Sequence, residues 1–364
     1  MKKKIDIMNL IVVGIMVSFK YLKMYELFPD IALYGYLAVL LILVIANIYT
    51  MGLSKKEYIK ILALFTVCLF TFVTNRDVNL LVSFFVALLF FRKDIREFVR
   101  YFAWCSIGMF VLTILLNSLG IIEGNNMIRY TQEGTIQRYA LGFETPNALF
   151  LYFMPIVFAL YYAYGANKKV LVVSAVCSTF LFYLTNCRTG FLLTILFVLY
   201  VAIWKDTMPK ILQKILPYVF LILTVVTFGI AITQGPVPDS AWNDWMSGRP
   251  YLWNYYYTQG LHTSLLGGNL NEEYILDSFY LHILVHLGIL AYVFYAFVYY
   301  KTSKTTLRQD EKALNLILFY LLYGLVETNT VLASTNFIFV LQFRSIMTDA
   351  AVERKLVEDG KTNN

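Results

Sequence analysis

Long runs of apolar residues, 15 to 23 at a time, recur along nearly the whole sequence, and no other feature narrows its folding choices so far. A chain with this pattern belongs in hydrocarbon, where every backbone N–H and C=O must find a partner within the protein, so only helices or a closed barrel can span. The runs are apolar on every side and do not alternate in polarity, which selects helices. Only 15% of the residues are charged, 59% are hydrophobic and the mean hydropathy is +0.64. These values exclude a soluble globular domain.

The expected fold is therefore an all-α integral membrane protein, one polytopic domain over residues 1–364. About twelve transmembrane helices are read, centred near residues 14, 40, 66, 84, 108, 155, 177, 197, 223, 289, 319 and 339. Several runs are short for a bilayer core of roughly 30 Å, so eleven or thirteen spans fit the same pattern. The first run follows "MKKK" without a small-residue cleavage site and is kept as a span, not a signal peptide. Outer loops are expected over 120–146 and 235–277, the second between spans nine and ten, with a short cytoplasmic tail over 349–364.

The net charge of +7 acquires meaning on this topology. With the N-terminus inside, 23 of the 30 basic residues fall on inner segments, as the positive-inside rule asks, so both termini are assigned to the cytoplasm. The basic balance is thus topogenic, and nucleic acid is not expected as a partner. Of the seven remaining, Lys20 and Lys23 flank the first span, and the other five are Arg76, Arg129, Arg138, Arg188 and Arg249. Arginine stays charged and pairs bidentately with phosphate or carboxylate, which lysine cannot do. The outer face therefore looks equipped to hold an anion, unless each arginine only pairs with a nearby acid. Arg76 has Asp77 beside it for that purpose. Cys68, Cys105, Cys177 and Cys187 show no paired spacing, so free thiols and no structural metal are expected.

The outer loop from Gly235 to Asp277 holds three of the five tryptophans and five tyrosines. A segment so long and so aromatic suits a folded lid or cleft, its rings either stacking on sugars or resting at the lipid interface. Three stretches then share one pattern: "RYALGFETPNALFLYF" from Arg138, "CRTGFLLTILF" from Cys187, and "GRPYLWNYYYTQGLHTSLLGGNLNEEYILDSFYLHILVHLGIL" from Gly248. Over residues 75–345 their order and spacing resemble the Wzy-type O-antigen and capsule polysaccharide polymerases and their relatives the O-antigen ligases. The matching positions are Arg138, Gly142, Phe143, Pro146 and Asn147; Arg188, Thr189 and Gly190; and Arg249, Trp253, Gly267, Gly268, Asp277, Leu287, Gly288 and Ile289.

The resemblance implies a multi-pass enzyme of the bacterial cytoplasmic membrane. It would transfer a growing glycan from polyprenyl pyrophosphate to the non-reducing end of a second lipid-linked repeat unit on the outer face. Its partners would be the polyprenyl-pyrophosphate-linked oligosaccharide, as donor and as acceptor, and membrane lipid; whether a chain-length regulator binds is left open. No cofactor and no catalytic metal is required, and no Asp-x-Asp motif is present. Such chemistry needs cations on the departing pyrophosphate and a base near the attacking hydroxyl.

Arg188 and Arg249 are the first choices for the cations and Arg138 the third. Thr189 and Gly190 let a helix start beside Arg188 with its positive end exposed, a setting suited to anions. Asn147 and Trp253 would contact glycan. Asp277 stands where the ligases carry histidine and is the leading base, with His262 behind it; the plain alternative is that Asp277 only N-caps the tenth helix. His282 and His286, four apart, would pack, hydrogen-bond or meet glycan more readily than hold a metal that lacks a third ligand. Glu327 would pair with an arginine or bind a sugar hydroxyl. A ligase using another acceptor, or a transporter or flippase for lipid-linked oligosaccharide, would also present arginines to pyrophosphate. Asp277 in place of histidine favours the polymerase over the ligase, and the outward clustering of charges disfavours the transporter.

Overall fold

The computed structural model describes residues 7–24, 30–75, 78–131, 134–237, 241–246, 248–256, 258, 264–268, 276–306, 310–328 and 335–348. Arg76, Asp77, His262 and the tail 349–364 lie outside them. Of the described residues 77% are helical, and among them six helices are long and apolar enough to cross a membrane. Every one of the twelve expected centres falls in a helix. The chain divides into two compact units, Met1–Val44 with Arg92–Thr207, and Ile45–Phe91 with Met208–Asn364.

The first unit holds α1 (Ile7–Met24), most of α2 (Asp30–Thr50), α5 (Ile95–Ser118), α6 (Pro146–Tyr164), α7 (Lys168–Thr185) and α8 (Arg188–Trp204). Helix α6 is its axis, in contact with α5, α7 and α8 and buried over 78% of its span. Thr145 starts it by accepting from the Ala148 amide at 3.1 Å, and Pro146 follows where a missing N–H is harmless. Edge-on aromatic contacts lock it in place: Phe158 meets Phe197 of α8 at 4.7 Å between ring centroids.

Helix α7 shows how a uniformly apolar run chooses its inner face. Its buried residues are Leu171, Ser174, Ser178, Leu181 and Thr185, a stripe at helical spacing, while Val172, Val173, Val176 and Phe180 are exposed. In lipid the tails are as apolar as valine, so close approach of small residues decides which face meets a neighbouring helix.

One departure from the all-α expectation occurs between α5 and α6. Strands β1 (Met127–Thr131) and β2 (Gly134–Arg138) form an antiparallel hairpin with Met127 opposite Arg138. Isoleucine, tyrosine and threonine suit a pleated strand, and Gly134 takes a φ of +136° at the turn.

The second unit holds α3 (Lys55–Asn75), α4 (Asn79–Leu89), α9 (Lys210–Gln234), α10 (Ala241–Trp245), α11 (Arg249–Tyr255), α12 (Phe279–His282), α13 (Gly288–Lys301), α14 (Glu311–Tyr323) and α15 (Ile338–Met347). At 11, 13 and 10 residues, α4, α14 and α15 run about 15–20 Å, short of a hydrocarbon core of roughly 30 Å. Phe220 of α9 is the hub, with Tyr280, Tyr292 and Tyr299 all within 5.4 Å of it between centroids.

The tenth apolar run is broken. A π-helical stretch, Ile283–Leu287, separates α12 from α13, and Gly288 stands at the break with φ +88° and ψ 174°, a conformation reserved for glycine. Residues 264–268 lie across this break as a strap. Ile289 and Leu290 donate their amides to the carbonyls of Ser264 and Leu265 at 3.3 and 3.2 Å, and the Gly268 amide donates to the Val285 carbonyl at 3.0 Å. A Cβ on Gly288 would overlap the Gly267 nitrogen, and one on Gly267 would overlap the His286 carbonyl.

Candidate functional site

The charges expected to act together lie in two groups, one in each unit. In the second unit Arg249 opens α11 behind Gly248, whose φ of +79° turns the chain into the helix. The Asn243 side chain fixes this corner: its Nδ2 donates to the carbonyls of Gln234 and Val237, and its Oδ1 accepts from the Tyr251 amide at 2.9 Å. Part of the segment 235–277 is therefore folded, as its composition suggested. Gly235 lets α11 lie against the end of α9, because a Cβ there would overlap Asn254.

Arg249 is only 4% exposed. Its Nη2 faces Glu327 Oε1 at 3.3 Å and Asp277 Oδ2 at 3.5 Å, and Nη1 donates to the Met246 carbonyl at 3.4 Å. The two carboxylates come from segments that are themselves joined, since the Phe279 amide donates to the Gly324 carbonyl at 2.8 Å. Asp277 therefore does not cap the helix: the N-cap position of α12 belongs to Ser278, whose hydroxyl makes no capping bond. Of the two roles open to Glu327, ion pairing with arginine is the one observed. Among the described residues, Arg249 Nε, Trp253 Nε1 and Ser278 Oγ are buried with no hydrogen-bond partner.

Two carboxylates on one guanidinium would leave a buried net charge of −1. Burial first, then the adjacent Asp277 carboxylate, pushes the Glu327 carboxyl up to about 8, against the opposing pull of Arg249. Burial also raises Asp277, and Arg249 counters it. Because Glu327 binds its proton more tightly folded than at the ordinary glutamate value of 4.5, its stabilising contribution is full below that value. The contribution is lost as the pH climbs towards about 8. Thermal unfolding in detergent should therefore show stability falling across this window, and Glu327→Gln should flatten the fall. An unchanged slope in the variant would refute the assignment.

The first-unit group includes hydrogen bonds to neutral partners. Arg138, at the end of β2, donates from Nε to the Thr185 carbonyl at 2.7 Å and from Nη2 to Asn147 Oδ1 at 2.6 Å. It thereby ties the hairpin to the end of α7 and the start of α6. Asn147 serves as an acceptor for Arg138, a pairing that their separation in sequence did not reveal. Three residues beyond Thr185, Arg188 begins α8; it is exposed and makes no hydrogen bond or ion pair among the described residues. Cys187 provides no side-chain cap, so the first amides of this 17-residue helix stay open beside the Arg188 charge. Thr189 is half-buried next to it. Gly190 allows α8 to start there, because a Cβ would lie 2.5 Å from the Phe150 side chain.

Trp253 is fully buried. In this conformation its ring has no free face for a sugar, so the expected glycan contact is replaced by a packing role. The His282 and His286 rings lie 5.0 Å apart, and His286 Nδ1 is 3.1 Å from the Gly268 carbonyl, which makes it part of the strap contact. No group of three metal-ligating residues occurs among the described residues. Ser278 and the Met246 carbonyl escaped the sequence reading, because a serine beside a loop and a backbone oxygen carry no motif. No protein-family model, curated protein or solved structure matches the chain.

Proposed function

We propose that this protein is a polysaccharide repeat-unit polymerase that moves a growing glycan from polyprenyl pyrophosphate to the non-reducing end of a lipid-linked repeat unit. It would act at the outer face of the bacterial cytoplasmic membrane, with twelve spans and both termini inside. The observation that carries the reading is the Asp277 carboxylate, held by a buried arginine at the head of a broken span and still 27% exposed at its side chain. That is a base fixed in direction and open to a substrate hydroxyl.

The acceptor hydroxyl oxygen bonds to the anomeric carbon of the donor glycan, and its proton passes to Asp277. The bond from that carbon to the pyrophosphate oxygen breaks, and its electron pair leaves with the phosphate. The departing charge needs a cation, and the two groups differ in what they offer. Arg249 is already matched by two carboxylates, which suits it to holding the base. Arg188, in the other unit, has no such partner among the described residues and stands on open helix amides, features that suit it to a phosphate anion.

The deciding experiment supplies purified protein in lipid discs with its polyprenyl-pyrophosphate repeat unit. A ladder of longer glycans is expected; transport across vesicles without a ladder would sink the reading in favour of a flippase. Arg188→Lys should cut chain growth by roughly tenfold or more, about 1.4 kcal/mol of transition-state binding per tenfold, because a point charge cannot reproduce the planar fork. A fully active lysine variant would show that this geometry is irrelevant.

A further inference from the structure

The geometry points to Asp277 and Glu327 working as a pair of carboxyls that hold a single proton between them, with Glu327 the protonated member and Asp277 the ionised one. Both acids lean on the same nitrogen of Arg249, at 3.5 and 3.3 Å. One guanidinium can balance one carboxylate, and the second is left to repel the first in a place largely shut off from water. Retaining one proton relieves this, as in other sites where two acids share close quarters.

Their unequal burial decides which acid keeps the proton. The Glu327 side chain is 12% exposed and that of Asp277 is 27%, so ionising Glu327 forfeits more hydration. The upward displacement of Glu327 agrees with this order. The charged groups that act on Glu327 are Asp277, ahead of α12, and Arg249, on α11. The set Arg249, Asp277 and protonated Glu327 is then neutral. Glu327 is a positioning residue: by staying protonated it leaves the guanidinium to Asp277 and keeps that acid ionised. Its value for glycosyl transfer rests on the polymerase reading, whereas the shared proton does not.

Infrared spectroscopy of the full-length protein in detergent tests the proton directly, with no substrate present. A protonated-carboxyl C=O band is expected at pH 7. It should shift when glutamate carries a 13C-labelled carboxyl and stay in place when aspartate does. Glu327→Gln should remove the band. Asp277→Asn should keep the band at acidic pH but lower its titration midpoint by about one pH unit or more, so that it weakens at pH 7, because the like charge has gone. A band that follows aspartate labelling would reverse the assignment. No band altered by Glu327→Gln, or a midpoint indifferent to Asp277→Asn, would overturn the shared proton. Glycan assays on the same samples judge the polymerase reading separately, so failure of one leaves the other standing.

Discussion

Arg249→Met is expected to destabilise the protein by about 3–5 kcal/mol, because it removes the cation from a buried site and leaves both acids behind. Arg249 is nearly inaccessible and its two partners come from distant parts of the chain, so water cannot easily replace the lost interaction. The remaining acids would be driven towards protonation, and the Met246 carbonyl would lose its side-chain donor. The loss should be largely electrostatic, since methionine fills much of the same volume. The triple variant Arg249→Met, Asp277→Asn, Glu327→Gln should therefore recover most of the stability. Thermal unfolding of the single and triple variants in detergent measures both steps. Equal instability of the two would show that arginine shape, and not charge balance, holds the site.

Gly288→Ala should cost about 3 kcal/mol or more, through two mechanisms. Its backbone, at φ +88° and ψ 174°, is a conformation that an L-residue adopts only under strain. A methyl there would also overlap the Gly267 backbone, which has no flexible end to swing aside. The strap would be pushed off the break, exposing the Ile289 and Leu290 amides that it now satisfies. Limited proteolysis of residues 264–268 and the unfolding midpoint should change together. Resistance equal to that of the unaltered protein would show that the break tolerates a side chain.

How much of this was legible in the sequence differs from place to place, for physical reasons. Run length and apolarity placed all twelve expected centres within helices, because a helix in lipid satisfies its own backbone and needs little else from its neighbours. The inner face of each was less visible: in α7 Ser174, Ser178 and Thr185 share it with Leu171 and Leu181, while Val172, Val173, Val176 and Phe180, equally apolar, are exposed. The hairpin at Met127–Arg138 left a weak trace, alternation around Gly134, that reads equally well as a loop. At the site, Arg249 and Asp277 carried signals, as charges beside apolar runs do. Glu327 was legible as an arginine partner, but that it joins Arg249 and Asp277 is a tertiary fact, helped by the Phe279 to Gly324 bond. Arg138 and Asn147 sit nine residues apart across a turn, and only the turn brings them together. The strap bonds backbone to backbone, which any residue can do, so its glycines were the only sign of it.

The strap also bears on the order of assembly. Residues 264–268 leave the ribosome before residues 285–290, to which they bond, and on the proposed topology they must cross the membrane first. Without the strap the amides of Ile289 and Leu290 would lose the acceptors they have at the break, and an unsatisfied backbone group in hydrocarbon costs several kcal/mol. The tenth run is thus a poor passenger for the insertion machinery on its own. Its backbone is completed only when a segment made before it folds back onto it, so the two must meet during assembly.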